Sequence, residues 1–157
     1  MSTKTDNSAV LSKWDNRFLE MARSVAEWSK DPATKIGCVI VDPKSRTVVA
    51  VGYNGLPRGV DDANAARYVR PTKYLYTEHS ERNAVYNAAR RGTTTEGCTM
   101  YMPWYPCADC ARAIIQSGIT RLVCGRPQYE LRPDWADSWA AAEIMLGEAE
   151  VQVDFHD

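Results

Sequence analysis

His79-Ser80-Glu81 and Pro106-Cys107-Ala108-Asp109-Cys110 are the two stretches the fold has to bring together. Cys107 and Cys110 stand three residues apart, so at the start of a helix they share one face and reach one ion. An imidazole from a second helix, His79, completes a three-ligand set for zinc. A structural zinc site closes with a fourth Cys or His, whereas three protein ligands leave a position for water, whose pKa falls to about 7. Glu81 is then the natural proton carrier. Residues i and i+2 do not share a helix face, so His79 and Glu81 converge only if the helix begins near His79. Both ligand sets therefore lie at helix N-termini, where the helix dipole favours thiolate over thiol.

Taken singly, Cys-x-x-Cys reads equally as a redox pair, half a zinc finger or chance, and a lone histidine as a satisfied polar residue. Together, His-x-Glu followed by Pro-Cys-x-x-Cys is the signature of zinc-dependent nucleobase deaminases. The other histidine, His156, is the penultimate residue, and chain ends are poor places for a ligand. The expected metal content is one zinc per chain.

A length of 157 residues suits one domain, 1–157, and 19 basic against 20 acidic residues argue against a large nucleic-acid footprint. The sequence has no run of about 18 apolar residues, and Met1 to Val10 is polar without the apolar segment of a signal peptide, which predicts a cytoplasmic protein and no membrane partner. Five cysteines are an odd number for a disulfide framework, and Cys38, Cys98 and Cys124 sit in apolar or strand-like runs as small core residues.

Outward from the two motifs the pattern is α/β. Trp14, Phe18, Met21, Ala22, Val25 and Ala26 recur at helical spacing and predict a helix from about Ser12 to Ser29, ended by Asp31-Pro32. Ile36–Val41 and Thr47–Gly52 flank a turn and predict a hairpin. Both strands are apolar on nearly every residue, which predicts burial on both faces and helices on both sides of the sheet. A helix from His79 ends at Arg90-Arg91-Gly92, and a strand at Thr99–Met102 leads to a helix at Cys107–Gly118. A strand at Arg121–Cys124, a helix at Ser138–Leu146 and a final strand through Val151, Val153 and Phe155 form a crossover between parallel strands. Gly125 to Ala136 reads only as a connection.

Substrate contacts are less decided by pattern. Gly52-Tyr53-Asn54-Gly55-Leu56-Pro57-Arg58-Gly59 is either ordinary turn chemistry or a nucleotide contact in which Asn54 offers a donor and an acceptor. The following stretch to Thr77, roughly 20 residues, is long against a usual median of about 4–6. Its Arg58, Arg67, Arg70 and Lys73, partly offset by Asp61 and Asp62, form either a phosphate site or a solvated face. Trp104 and Tyr105 stack on a base or pack in the core. Candidate substrate contacts are Asn54, Ser80, Tyr105 and Pro106, the last lying beside backbone donors freed at a helix start. Gly55, Arg58 and Lys73 are candidate phosphate or effector contacts.

Over most of its length the chain resembles the deoxycytidylate (dCMP) deaminase family. The resemblance is carried by Ser29-Lys30-Asp31-Pro32, Gly52 to Gly59, Thr72-Lys73-Tyr74, Pro106 to Cys110 and Ile114-Ile115-Gln116-Ser117-Gly118-Ile119. Where that family usually has His-Ala-Glu, this chain has His79-Ser80-Glu81, a change at a small non-ligand position; from Gln128 onwards it matches least. The resemblance implies a cytidine-deaminase-like three-layer α-β-α fold, with a mixed five-stranded sheet and helices on both faces. It also implies homo-oligomers (dimer or hexamer) and regulation by dCTP and dTTP near the Gly-Tyr-Asn-Gly loop. The implied reaction is hydrolysis of dCMP to dUMP and ammonia, which supplies the dTMP precursor. Other readings are a zinc deaminase of cytosine, guanine, tRNA adenosine or a riboflavin precursor, a non-catalytic zinc module, and a thiol-disulfide redox protein.

Overall fold

A computed structural model describes residues 10–157. The polar opening stretch from Met1, up to residue 9, lies outside the described residues. The chain runs α1 (Lys13–Ala26), β1 (Gly37–Asp42), β2 (Thr47–Tyr53), α2 (Lys73–Tyr76), α3 (Ser80–Arg90), β3 (Thr99–Tyr101), α4 (Ala108–Gln116), β4 (Arg121–Cys124), α5 (Ala136–Glu148) and β5 (Gln152–Phe155). Five strands form one sheet in the order β2-β1-β3-β4-β5. β1 is antiparallel to β2 and β3, and β3, β4 and β5 are parallel, so the sheet is mixed as expected.

Alternation along β1 sends side chains to two cores. Val39 and Val41 pack with Phe18, Leu19 and Ala22 of α1, while Cys38 and Ile40 face Ala84, Ala111 and Ile114 of α3 and α4. Trp139, Ala142 and Leu146 of α5 join the second core, giving one helix on one face and three on the other. Cys38, Cys98 and Cys124 are buried thiols within it. Gly37 and Gly52 allow the closest helix approaches. A Cβ at Gly37 would sit 2.0 Å from the Ala22 carbonyl oxygen, and one at Gly52 would sit 2.4 Å from that of Ser80. Gly52 thereby seats the first turn of α3, the turn that follows His79, directly on β2.

β2 is an edge strand and is only partly buried: Val51 packs on the first core and Val49 on the second, so both faces meet a core as expected, while Val48 is exposed. The long stretch up to Thr77 holds a 3-10 turn at Ala65–Tyr68 and the single-turn α2. Among the described residues no helix is long and apolar enough to cross a membrane.

A buried network ties α1 to the parallel half of the sheet. Asp15 completes a capping box with Ser12 and also accepts hydrogen bonds from the Tyr101 hydroxyl at 2.8 Å and from Arg121 at 2.7 and 3.1 Å. Arg121 reaches Asp154 on β5 with its Nε. Burial by itself would push the Asp15 carboxyl up, but the Arg121, Ser12 and Tyr101 hydrogen bonds outweigh it and hold the group well below the usual carboxylate range. A folded-state pKa below the unfolded value of about 3.9 adds stability that is fully present above that pH and is lost as pH falls towards the folded value. The stability difference between the parent and Asp15→Asn is therefore expected to be larger at pH 7 than near about pH 3 in urea titrations. An equal difference at both pH values would show that the ionised Asp15 contributes nothing.

Candidate active site

Each ligand-bearing helix starts where its motif does. His79 is the N-cap of α3, in extended backbone geometry, and Cys107 is the N-cap of α4, its Sγ accepting from the Cys110 N–H at 3.5 Å. Pro106, fully buried, precedes Cys107, and the Ala108 N–H that opens α4 donates to Ser138 Oγ of α5 at 2.8 Å. A helix N-cap side chain points back over its own first turn, and α3 and α4 pack together, so the two caps meet. His79 Nδ1 lies 3.5 Å from both Cys107 Sγ and Cys110 Sγ. Zn–S bonds of about 2.3 Å and Zn–N bonds of about 2.0–2.1 Å at a tetrahedral angle put sulfur and nitrogen about 3.6 Å apart, so the tripod fits zinc without rearrangement. Among the described residues this is the one cluster of three or more potential metal ligands. His156 is not in it, and instead pairs with the Pro103 carbonyl at 2.9 Å. The Cys107 thiol is pulled down to about 4, first by its hydrogen bond with Cys110 and, against burial, by His79. The same sulfur–sulfur contact and then burial push the Cys110 thiol up.

Glu81 is buried on the wall of a cavity of about 580 Å³, which His79, Ser80 and Cys107 also line. That size falls in the range of about 300–1,000 Å³ usual for small-molecule sites. The Ser80 hydroxyl donates to Glu81 Oε2 at 2.8 Å, and burial pushes the Glu81 carboxyl up, opposed chiefly by the charge of His79.

Arg82, one turn beyond His79, ties the two helix starts together. Its Nε lies 2.6 Å from Glu78 Oε1 and its Nη1 lies 3.3 Å from Asp109 Oδ2, while Glu78 Oε1 also accepts the His79 N–H at 3.1 Å. Burial acts against the Arg82 charge, but Cys110, Glu78 and Cys107 more than offset it and raise its pKa.

The remaining candidates divide. Tyr105, packed on Phe155, lies on the cavity wall, as does the more exposed Trp104. Asn54 is on the wall as well, but its Oδ1 accepts the Ile36 N–H and its Nδ2 donates to the Thr34 carbonyl, both at 2.8 Å. Its side chain thus pins the β1 entry and the loop after β2 to each other. Gly55 exchanges backbone hydrogen bonds of 3.1 and 2.8 Å with Glu78, next to the metal histidine. Lys73 is buried in an ion pair with Asp31 at 2.8 Å, both residues lining the cavity. Arg58 does not line it; its guanidinium is bonded to Asn87 of α3.

Sequence reasoning missed the opposite wall. Trp135, Arg132 and Asp134 come from the stretch read only as a connection, which forms a 3-10 turn at Pro133–Trp135. The Trp135 ring stands 6.0 Å from the His79 ring and 6.3 Å from Trp139. Arg70 and Tyr74 line the same side. Thr77, also on the wall, has a buried hydroxyl without a hydrogen-bond partner, a feature that calls for a ligand or water. A tryptophan in a Pro-containing polar loop was the available signal, since binding residues lie disproportionately on loops.

Comparison with known proteins agrees with this geometry. Residues 12–126 match the family described as the cytidine and deoxycytidylate deaminase zinc-binding region. An uncharacterized deaminase of Aliivibrio fischeri is 40% identical over 144 residues, covering 92% of this chain and 94% of that one. Human deoxycytidylate deaminase is 34% identical over 144 residues, covering 88% of this chain and 77% of the human one. The crystal structure of a dCMP deaminase from cyanophage S-TIM5, in complex with dCMP and dUMP, superimposes with a TM-score of 0.73 over 94% of this chain and 99% of that one, at 19% identity, which speaks for the fold. The chain therefore belongs to the cytidine and deoxycytidylate deaminase family, and its tripod of His79, Cys107 and Cys110 makes it a zinc-dependent deaminase.

Proposed function

We propose that this chain hydrolyses dCMP to dUMP and ammonia. The observation that carries the reading is the placement of a buried carboxylate, Glu81, on the wall of a nucleotide-sized cavity that is also lined by the metal ligands His79 and Cys107. The identity to human deoxycytidylate deaminase supports a deoxynucleotide over other substrates of the same chemistry.

When bound, zinc supplies the Lewis acid that lowers the pKa of a water towards about 7. Glu81 takes one proton of the attacking water and delivers it to N3, then takes the second from the hydroxyl added at C4 and delivers it to the amine as the C4–N bond breaks, acting as base and then acid. The Ser80 hydroxyl, bonded to Glu81 Oε2, holds that carboxylate in one orientation. Backbone donors freed at the starts of α3 and α4, beside Ser80 and Cys107, are placed for the base edge. Tyr105 and Trp135, with Trp104 at the rim, offer the apolar faces between which a pyrimidine lies. The buried Thr77 hydroxyl is a polar group on the cavity wall without a hydrogen-bond partner.

Regulation by dCTP and dTTP and assembly as a dimer or hexamer belong to the same proposal. The Gly55–Glu78 bridge offers a route, since a ligand that shifts the Gly52–Gly59 loop acts on the residue preceding the metal histidine.

The test is ammonia release from dCMP, CMP, deoxycytidine, cytosine, guanine, a riboflavin precursor and a tRNA anticodon hairpin. dCMP is expected to exceed deoxycytidine in kcat/KM by at least ~10²-fold, since a charge-assisted phosphate contact contributes about 1.5–3 kcal/mol and a second adds to it. Equal activity on the two would remove the nucleotide reading, and activity confined to guanine or the hairpin would move the chain to another branch of the zinc deaminases.

A further inference from the structure

Four cations line the cavity, Arg70, Lys73, Arg82 and Arg132, and their pairing differs. Lys73 is buried against Asp31, and Arg82 is held between Glu78 and Asp109, so neither is available to a second anion without breaking a part-buried or buried pair. Arg70 is exposed. Its Nε donates to the Tyr74 hydroxyl at 2.9 Å, and among the described residues it has no carboxylate within ion-pair distance. Arg132 grips Asp134 through Nε at 3.0 Å and Nη2 at 2.8 Å, in a pair whose carboxylate is more than half exposed.

These two guanidiniums come from distant segments and meet at one place. Both line the one cavity; Asp134 is held below the usual carboxylate range first by its hydrogen bonds from Arg132 and also by the charge of Arg70, and the Tyr74 hydroxyl to which Arg70 donates helps to raise the pKa of Arg132. The distance of Arg132 from the reaction centre is set by Trp135, whose ring stands 6.0 Å from the His79 ring and 5.6 Å from the Arg132 guanidinium carbon. One indole therefore separates the metal histidine from Arg132, which is the kind of gap a base and its sugar span. The mouth carries two positive charges against the single negative charge of Asp134, while the Lys73–Asp31 pair deeper on the wall is neutral. Forked donors of this type match a phosphate in a planar, bidentate manner.

We propose that Arg70 and Arg132, with Tyr74 holding Arg70 in place, are the specificity-determining residues that receive the 5′-phosphate of the substrate. This rests on the reading of the ligand as a nucleotide, and it replaces Arg58 and Lys73 as phosphate contacts.

The experiment measures binding of dUMP and of deoxyuridine by calorimetry, and turnover of dCMP and of deoxycytidine, in the parent, Arg70→Ala, Arg132→Ala and the corresponding Lys variants. The parent should bind dUMP more tightly than deoxyuridine. Each Ala variant should shrink that difference by about 10-fold or more, with kcat on dCMP falling far less than kcat/KM, and each Lys variant should recover part of the loss. The loss on deoxycytidine should be at least tenfold smaller than that on dCMP. Both side chains lie at the mouth, so Tm and zinc content should match the parent. A dUMP-to-deoxyuridine ratio that neither Ala variant changes, or equal losses on dCMP and deoxycytidine, would overturn the assignment even if dCMP is the substrate. Conversely, a ratio that depends on both arginines in a chain that does not deaminate dCMP would uphold the phosphate site and refute the dCMP reading.

Discussion

Glu81→Gln is expected to retain zinc, fold and Tm while losing kcat towards the upper end of the about 10²–10⁴-fold range of general acid–base catalysis. One carboxylate handles several proton transfers in the proposed reaction, and among the described residues no other buried carboxylate on the cavity wall lies within two residues of a metal ligand. Asp31, the other buried carboxylate on the wall, is engaged by Lys73 and by the Ala33 and Thr34 amides. Glutamine keeps the volume and can still meet the Ser80 hydroxyl, so the loss isolates proton transfer from packing. A variant within tenfold of the parent rate would show that Glu81 is not the proton carrier.

Cys110→Ala is expected to abolish both metal binding and deamination. Cys110 is fully buried at the start of α4, and its sulfur is one of only three ligand atoms in the cluster, so two ligands would remain for an ion that needs three. Metal binding is partly folding energy here, because His79 and Cys107 cap the two helices that the ion joins. Zinc per chain, read by atomic absorption, should fall from one to near zero, and Tm should drop with it. Retention of stoichiometric zinc by this variant would refute the tripod.

The parts of the site that lie in local sequence were legible. His79 as the first residue before a helix follows from the i, i+2 geometry of His79 and Glu81, and Cys107 and Cys110 on one face follow from their spacing; the structure places all three side chains as those arguments require. What was hidden depends on tertiary position. Val48 is as apolar as the residues of β1, yet it is exposed near the end of an edge strand, a position that only the strand order reveals. Lys73 and Arg58 looked alike as loop cations, yet one is buried against Asp31 from a distant segment and the other is turned towards Asn87. Trp135 and Arg132 carried no periodicity and no motif, and they reach the cavity because α5 crosses over α4, whose first amide is held by Ser138.

The most direct measurement follows dCMP incubated with the zinc-loaded chain, quantifying dUMP and ammonia together, before and after zinc is stripped by a chelator and then restored. Equal molar amounts of dUMP and ammonia, abolished by stripping and recovered on adding back one zinc per chain, are the expected result. No dUMP from dCMP at any zinc loading, or a rate indifferent to removal of the metal, would contradict the account.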